Sequence, residues 1–129
     1  MKKDIENRQD IQLLVDNFYT KVKADATIGY FFSEVVPVNW QSHLPRMYSF
    51  WETVLLGQAS YKGNPLLKHI DINRLQPLLD KHFDQWLVLW HQTINELFDG
   101  PIAESAKRKP EQMKIIMLSK MHPLPSSLL

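Results

Sequence analysis

The chain has 129 residues, 44% hydrophobic, 11% aromatic and 22% charged, with no cysteine; that suffices for one sizeable core and excludes disulfide scaffolds, thiolate zinc sites, iron–sulfur clusters and C-x-x-C-H cofactor attachment. Fifteen Lys and Arg against fourteen Asp and Glu leave a formal charge of +1, so no net field selects nucleic acid or an anionic membrane as partner. The N-terminal MKKDIENRQD has no apolar signal core, no stretch reaches the ~18–20 apolar residues of a membrane span, and the lack of cysteine suits a reducing cytoplasm.

Ile11, Leu14, Val15, Phe18, Tyr19 and Val22 recur in steps of three and one, the stripe of an amphipathic helix, with Asn7 or Asp10 placed to cap it. Gly29 and Pro37 bracket Tyr30-Phe31-Phe32, read as a turn of helix packed inward. Trp40, His43, Leu44, Met47, Phe50, Trp51, Val54 and Leu55 form a second stripe, which Gly57 stops. Proline is tolerated best in a first turn, so Pro45 predicts a helix starting near His43 with Ser42 as its cap; the alternative is a kink. Residues 57–73 read as a long irregular connection holding one short helix, Pro65 to about Ile70, with Asn64 as cap. The longest stripe runs from Leu75 through Leu78, Leu79, His82, Phe83, Trp86, Leu89, Trp90 and Ile94 to Leu97 and Phe98, and Asp99-Gly100-Pro101 ends it. A last helix, Pro101 to about Met121, is predicted to kink at Pro110. No strand pattern or repeat is present. The fold class is all-α, one domain over residues 1–129 with its core in about 10–121 and a disordered tail over 122–129.

Two features set this pattern apart from a plain helical bundle. Its stripes carry polar-tipped side chains, Tyr19, His43, His82 and Trp86, where a core alone would use leucine. A short helix around His69 nucleates poorly and needs something to hold it. A planar cofactor anchored by His69 answers both, and histidine is a usual haem ligand. From spacing alone the plainer outcome, a non-haem all-helical interaction module that takes a partner helix in an apolar groove, remains the commoner one. No phosphate loop, G-x-S-x-G serine or H-E-x-x-H pair points to another chemistry.

Phe18-Tyr19 within F-Y-x-K-V, His43 eight residues before Trp51, and F-W-x-x-x-L-L-G at 50–57 form one set of motifs. Tyr61-Lys62-Gly63-Asn64-Pro65-Leu66 leading into Lys68-His69, and then Trp86-Leu87, complete it. Together they resemble the truncated haemoglobins, and within them the third group. The resemblance covers about residues 10–120, and Phe50 to His69 is its most specific part. The glycine pairs that mark interhelical turns in the other groups are absent, which fits the third group. Pro45 and Pro110 depart from the pattern and bear on where His43 points and on the last helix.

The resemblance implies a two-over-two helical sandwich around one haem b, with His69 as the iron ligand. It implies a distal set of Tyr19, Trp86 and, at the pocket edge, His43. There a phenol O–H and an indole N–H would donate to a diatomic ligand carrying partial negative charge. Phe18, Phe32, Met47 and Phe50 would supply apolar haem contacts. Arg46 first, then Tyr61, Lys62 and Lys68, are the donors that the haem propionates would take. A neutral His69 needs an acceptor for its second ring nitrogen, and the carbonyls near Pro65 are candidates. His82 reads as a hydrogen-bonded core histidine, and Trp51 and Trp90 as packing. The expected function is a cytoplasmic haem b protein that binds dioxygen and other diatomic ligands. Peroxide or nitric-oxide chemistry is favoured over storage, with an unknown reductase as partner, and a monomer is favoured over an oligomer.

Overall fold

The computed structural model describes residues 1–122, so the tail expected over 122–129 lies, beyond His122, outside the described residues. The Asn7 side chain accepts from the Asp10 N–H at 3.0 Å and starts α1, Arg8–Ala24. The predicted stripe is its buried face: Ile11, Leu14, Val15, Phe18 and Val22 are fully buried and Tyr19 nearly so. Asp25 ends the helix, and its carboxylate accepts from the N–H groups of Thr27 and Ile28 at 2.9 and 3.0 Å. That turn leads into a single π-helical turn, Phe31–Val35, which buries Phe31 as the aromatic cluster predicted.

α2 spans Trp40–Leu56 and begins three residues earlier than Pro45 led us to expect. Its cap is Asn39, whose side chain accepts from the Gln41 N–H at 3.1 Å and whose carbonyl accepts from the His43 N–H at 2.8 Å. Ser42 lies inside the first turn, where its hydroxyl donates to the Asn39 carbonyl at 3.1 Å. Pro45 therefore sits in the second turn, and the helix forgoes one N–H bond to the carbonyl of Gln41, which is solvent-exposed. Gly57, at φ 72°, ends α2 in the left-handed conformation that glycine adopts without strain.

α3, Pro65–Leu75, runs a turn longer than expected. The Asn64 side chain accepts from the Leu67 N–H at 3.1 Å, and Pro65 occupies the first turn. The stop is Pro77: the residue before a proline avoids the helical region, and Gln76 is extended at φ −149° and ψ 120°. Leu75 thus belongs to α3 and is exposed, and the long stripe attributed to one helix divides at this point. α4 is Asp80–Leu97. His82 is buried, as expected of a core histidine, and its Nδ1 accepts from the Leu79 N–H at 2.9 Å. α5, Pro101–Met121, passes through Pro110, which is buried.

α1 packs on α2 and α4, and α5 packs on α4, on α3 and, more narrowly, on α2, giving an all-helical two-over-two arrangement. Three indoles stack at its centre: Trp51, Trp86 and Trp90, with Trp51 and Trp90 4.5 Å apart and 28° from parallel. Trp90 is fully buried and its N–H donates to the Ala106 carbonyl at 2.8 Å, which fastens α4 to α5. Truncating such a ring costs about 3–5 kcal/mol. The N-terminal arm closes the fold from the other end. The Asp4 carboxylate accepts from the Ile102 and Ala103 N–H groups at 2.9 and 2.8 Å, capping α5 where Gly100 has no side chain to offer. No helix among the described residues is long and apolar enough to cross a membrane.

Candidate functional site

Two regions hold the polar side chains that a plain core does not need. The first lies where α1, the π-helical turn and the start of α2 meet. Tyr19 projects from the buried face of α1 into a ring of aromatics. Phe18 stands 5.0 Å from it, Phe32 5.7 Å, Trp40 5.3 Å and His43 5.3 Å, all edge-on. Its hydroxyl is 3.3 Å from His43 Nε2. Burial pushes the Tyr19 pKa far above its ordinary value, so the group remains a neutral phenol and a donor. Burial, and after it the Arg46 charge, lowers the His43 pKa, so the imidazole is neutral at pH 7.

The tautomer of His43 decides what Tyr19 can do. With Nδ1 protonated, Nε2 accepts the Tyr19 hydroxyl proton and the pair is closed on itself. With Nε2 protonated, Nε2 donates to the phenol oxygen and frees the phenol proton for another acceptor.

Phe18 links this cluster to Trp86, 4.8 Å away on α4. Trp86 is half-buried, and its indole N–H has no hydrogen-bond partner among the described residues. An indole N–H is a donor only. Met47 is half-buried one turn beyond His43 on α2 and packs against the core.

The second region is α3. His69 lies one turn into it, and its Nδ1–H donates to the Pro65 carbonyl at 2.6 Å, the acceptor that the sequence offered. That bond fixes the tautomer and leaves the Nε2 lone pair available. Partial burial lowers the His69 pKa, against the upward pull of the Pro65 bond, so the neutral form dominates at pH 7. α3 has no buried residue although it carries Leu66, Leu67, Ile70, Ile72 and Leu75. Phe50 of α2 reaches its first turn: Phe50, Pro65 and Leu66 line an apolar cavity of about 200 Å³ with Met113 and Met117 of α5. The Tyr61 ring packs edge-on against Phe50 at 5.2 Å. Arg46, Lys62 and Lys68 are exposed and make no ion pair among the described residues.

The structure therefore gathers Tyr19, His43, Phe32 and Phe18, joins Trp86 to them through Phe18, and joins Phe50 and Tyr61 to the helix of His69. Arg46 remains at the surface and acts on His43 through its charge. Trp40 was missed as a site residue. Its signal was its place three residues before His43, on the same helical face. No group of three or more His, Asp or Glu side chains stands ready for a bare metal ion among the described residues. A single neutral imidazole suits instead an ion whose other ligands come with it, as in a metal macrocycle.

Comparisons with known proteins bear on the family and the fold. Residues 3–120 match the bacterial-like globin family. The chain is 30% identical over 123 residues to the group 3 truncated hemoglobin of Campylobacter jejuni, covering 93% of this chain and 86% of that protein. It is 31% identical over 101 residues to a group 1 truncated hemoglobin of Chlamydomonas moewusii, covering 76% of this chain and 56% of that one. The crystal structure of the group III truncated hemoglobin from Campylobacter jejuni superposes with a TM-score of 0.82 at 26% identity, over 95% of this chain and 97% of the other.

Proposed function

The chain belongs to the bacterial-like globin family, and from that membership we propose a haem protein in which His69 would hold the iron and Tyr19, His43 and Trp86 would act on a diatomic ligand. Its cofactor is haem b, whose iron supplies the binding position for the small ligand. The observation that carries the assignment of His69 is its bond to Pro65: Nδ1 is committed at 2.6 Å, so only Nε2 can face a metal, and the partial burial of the ring favours its neutral form. A haem also accounts for the eleven residues of α3, none of them buried by the protein alone. Porphyrin surface would cover its apolar side chains.

The remaining residues take roles that follow from their chemistry. Phe18, Phe32, Met47 and Phe50 contribute apolar contacts to the macrocycle. Arg46, Tyr61, Lys62 and Lys68 are the donors available to its propionates, and the three cations are exposed. Tyr19 and Trp86 present O–H and N–H groups to a ligand that gains negative charge. His43 sets which way the Tyr19 proton points. Several donors at one ligand slow its release and polarise it. That favours reactive chemistry on dioxygen, peroxide or nitric oxide over reversible storage, with a separate reductase as partner.

The test is titration of haemin into the purified chain and into His69→Gly. The wild type is expected to bind one equivalent with a sharp Soret band. The variant is expected to bind weakly and to recover with added imidazole. Equal binding by both proteins would remove His69 from the iron.

A further inference from the structure

The helix that carries His69 is held by few apolar contacts, since none of the residues of α3 is buried. Its first turn is seated by the Asn64 cap and by the cavity that Pro65 and Leu66 share with Phe50, Met113 and Met117. Its last turn has no such seat, and Arg74 and Leu75 are exposed. Beyond it runs a short connection, residues 76–79, that leads into α4.

Three side chains from three helices converge on two adjacent residues of that connection. The Leu78 N–H donates to the side-chain carbonyl of Asn73, on α3 itself, at 2.8 Å. His122 Nε2, at the end of α5, donates to the Leu78 carbonyl at 2.7 Å. The Leu79 N–H donates to Nδ1 of His82, in the first turn of α4, at 2.9 Å. A carbonyl only accepts and an N–H only donates, so each bond fixes its ring: His122 carries a proton on Nε2, and His82 carries none on Nδ1. The His82 ring is itself held, buried and edge-on to Phe31 at 4.9 Å. Pro77 has a fixed φ and Leu78 is buried, so the connection keeps little freedom of its own.

Asn73 stands four residues after His69, as Pro65 stands four before it, and the three share one face of α3. The Pro65 carbonyl orients the imidazole from the turn before. Asn73 ties the turn after it to α4 and α5. With no buried residue in α3 to resist a shift of that turn, the polar bonds decide where it stands. Partners that orient a metal ligand from outside its coordination sphere tune the bond it makes.

We infer that Asn73, His82 and His122 are positioning residues for His69: through Leu78 and Leu79 they fix the end of α3, and with it the place from which the imidazole meets the haem iron. This rests on the haem reading above.

The experiment is resonance Raman spectroscopy of the ferrous, ligand-free, haem-loaded protein, read at the iron–histidine stretching band. Haem transfer to an excess of a second haem-binding protein is the companion measurement. Asn73→Ala and His122→Ala each remove one bond to Leu78. Both are expected to shift and broaden the band, because His69 then samples a range of positions, and to speed haem loss about tenfold. Asn73→Asp keeps an acceptor and His122→Gln keeps a donor, and both are expected to restore the wild-type band. If Asn73→Ala does not fold, His122→Ala, at an exposed helix end, carries the test. A wild-type band that the alanine variants leave unmoved would overturn the inference alone, whatever the rate of haem loss. So would equal shifts in Asn73→Asp and Asn73→Ala, since the bond would then not be the cause. A wild type with no iron–histidine band would overturn the haem reading and the inference with it.

Discussion

Tyr19→Phe deletes one hydroxyl from the middle of the distal cluster and keeps the ring. The ring makes edge-on contacts with Phe18, Phe32, Trp40 and His43 between 5.0 and 5.7 Å, and phenylalanine preserves all of them. The hydroxyl is in a residue only 6% exposed, and burial keeps it protonated, so it is a standing donor. A hydrogen bond from such a donor to a charge-bearing acceptor in a dry pocket contributes about 1–3 kcal/mol. At about 1.4 kcal/mol per decade that is roughly 5- to 150-fold in the dissociation rate of dioxygen. The lost partner of His43 offsets little of this, because His43 is half-buried and has access to water. The fold should lose about 1 kcal/mol or less. Stopped-flow displacement of dioxygen by excess carbon monoxide reads the rate directly. Acceleration within that range is the expected result. A change smaller than about twofold would refute the donor role, and slower release would show that the hydroxyl is spent on His43 and opposes the ligand.

Other perturbations reach the rest of the account. Trp86→Phe removes an indole N–H that has no partner among the described residues, so dioxygen release should quicken several-fold while the urea midpoint of the haem-free protein moves little; a large stability loss would mark Trp86 as packing. Asp4→Ala uncaps α5 and should lower stability by about 1–2 kcal/mol in urea unfolding; a neutral result would show the N-terminal arm to be dispensable. Gly100→Ala should also destabilise, since a Cβ there would overlap the Asp4 carboxylate and φ is 143°. His82 gives a pH test. Burial, and after it the Lys81 charge, holds its pKa below the ordinary 6.5. The unfolded chain therefore takes up the proton first as pH falls, and stability present above about 6.5 declines as the pH falls toward the lowered folded value. His82→Gln retains an acceptor for the Leu79 N–H and should flatten the loss measured between pH 7.5 and 5.5; an unchanged slope would assign the loss to other groups.

Much of the fold was legible because its boundaries are written in single residues. Asn7, Gly57, Asn64-Pro65 and Gly100-Pro101 each mark the end they were read to mark. The stripe of α1 gave its buried face residue by residue. The start of α2 was misplaced because Ser42 and Asn39 are both capable caps. Asn39 takes the role since its carbonyl and its side chain together serve the first turn. Leu75 and Leu78 stay in phase with the α4 stripe, and that continuity hid Pro77, which ends one helix before the next begins. The π-helical turn left no periodic trace over five residues. Within the site, His69 and its Pro65 acceptor lie four residues apart and were visible together. Trp40 was not, because its neighbours Tyr19 and Phe32 come from other elements and only the fold brings them to it.

A chain that holds one haem with an iron open to small ligands has a visible signature. The most direct measurement is the visible spectrum of the purified protein with one equivalent of haemin, then with dithionite, then with carbon monoxide. The expected result is an intense Soret band that moves on reduction and moves again, sharpening, with carbon monoxide. A protein that stays colourless beside free haemin would contradict it, and would return His69, Tyr19 and Trp86 to the ordinary work of a helical core.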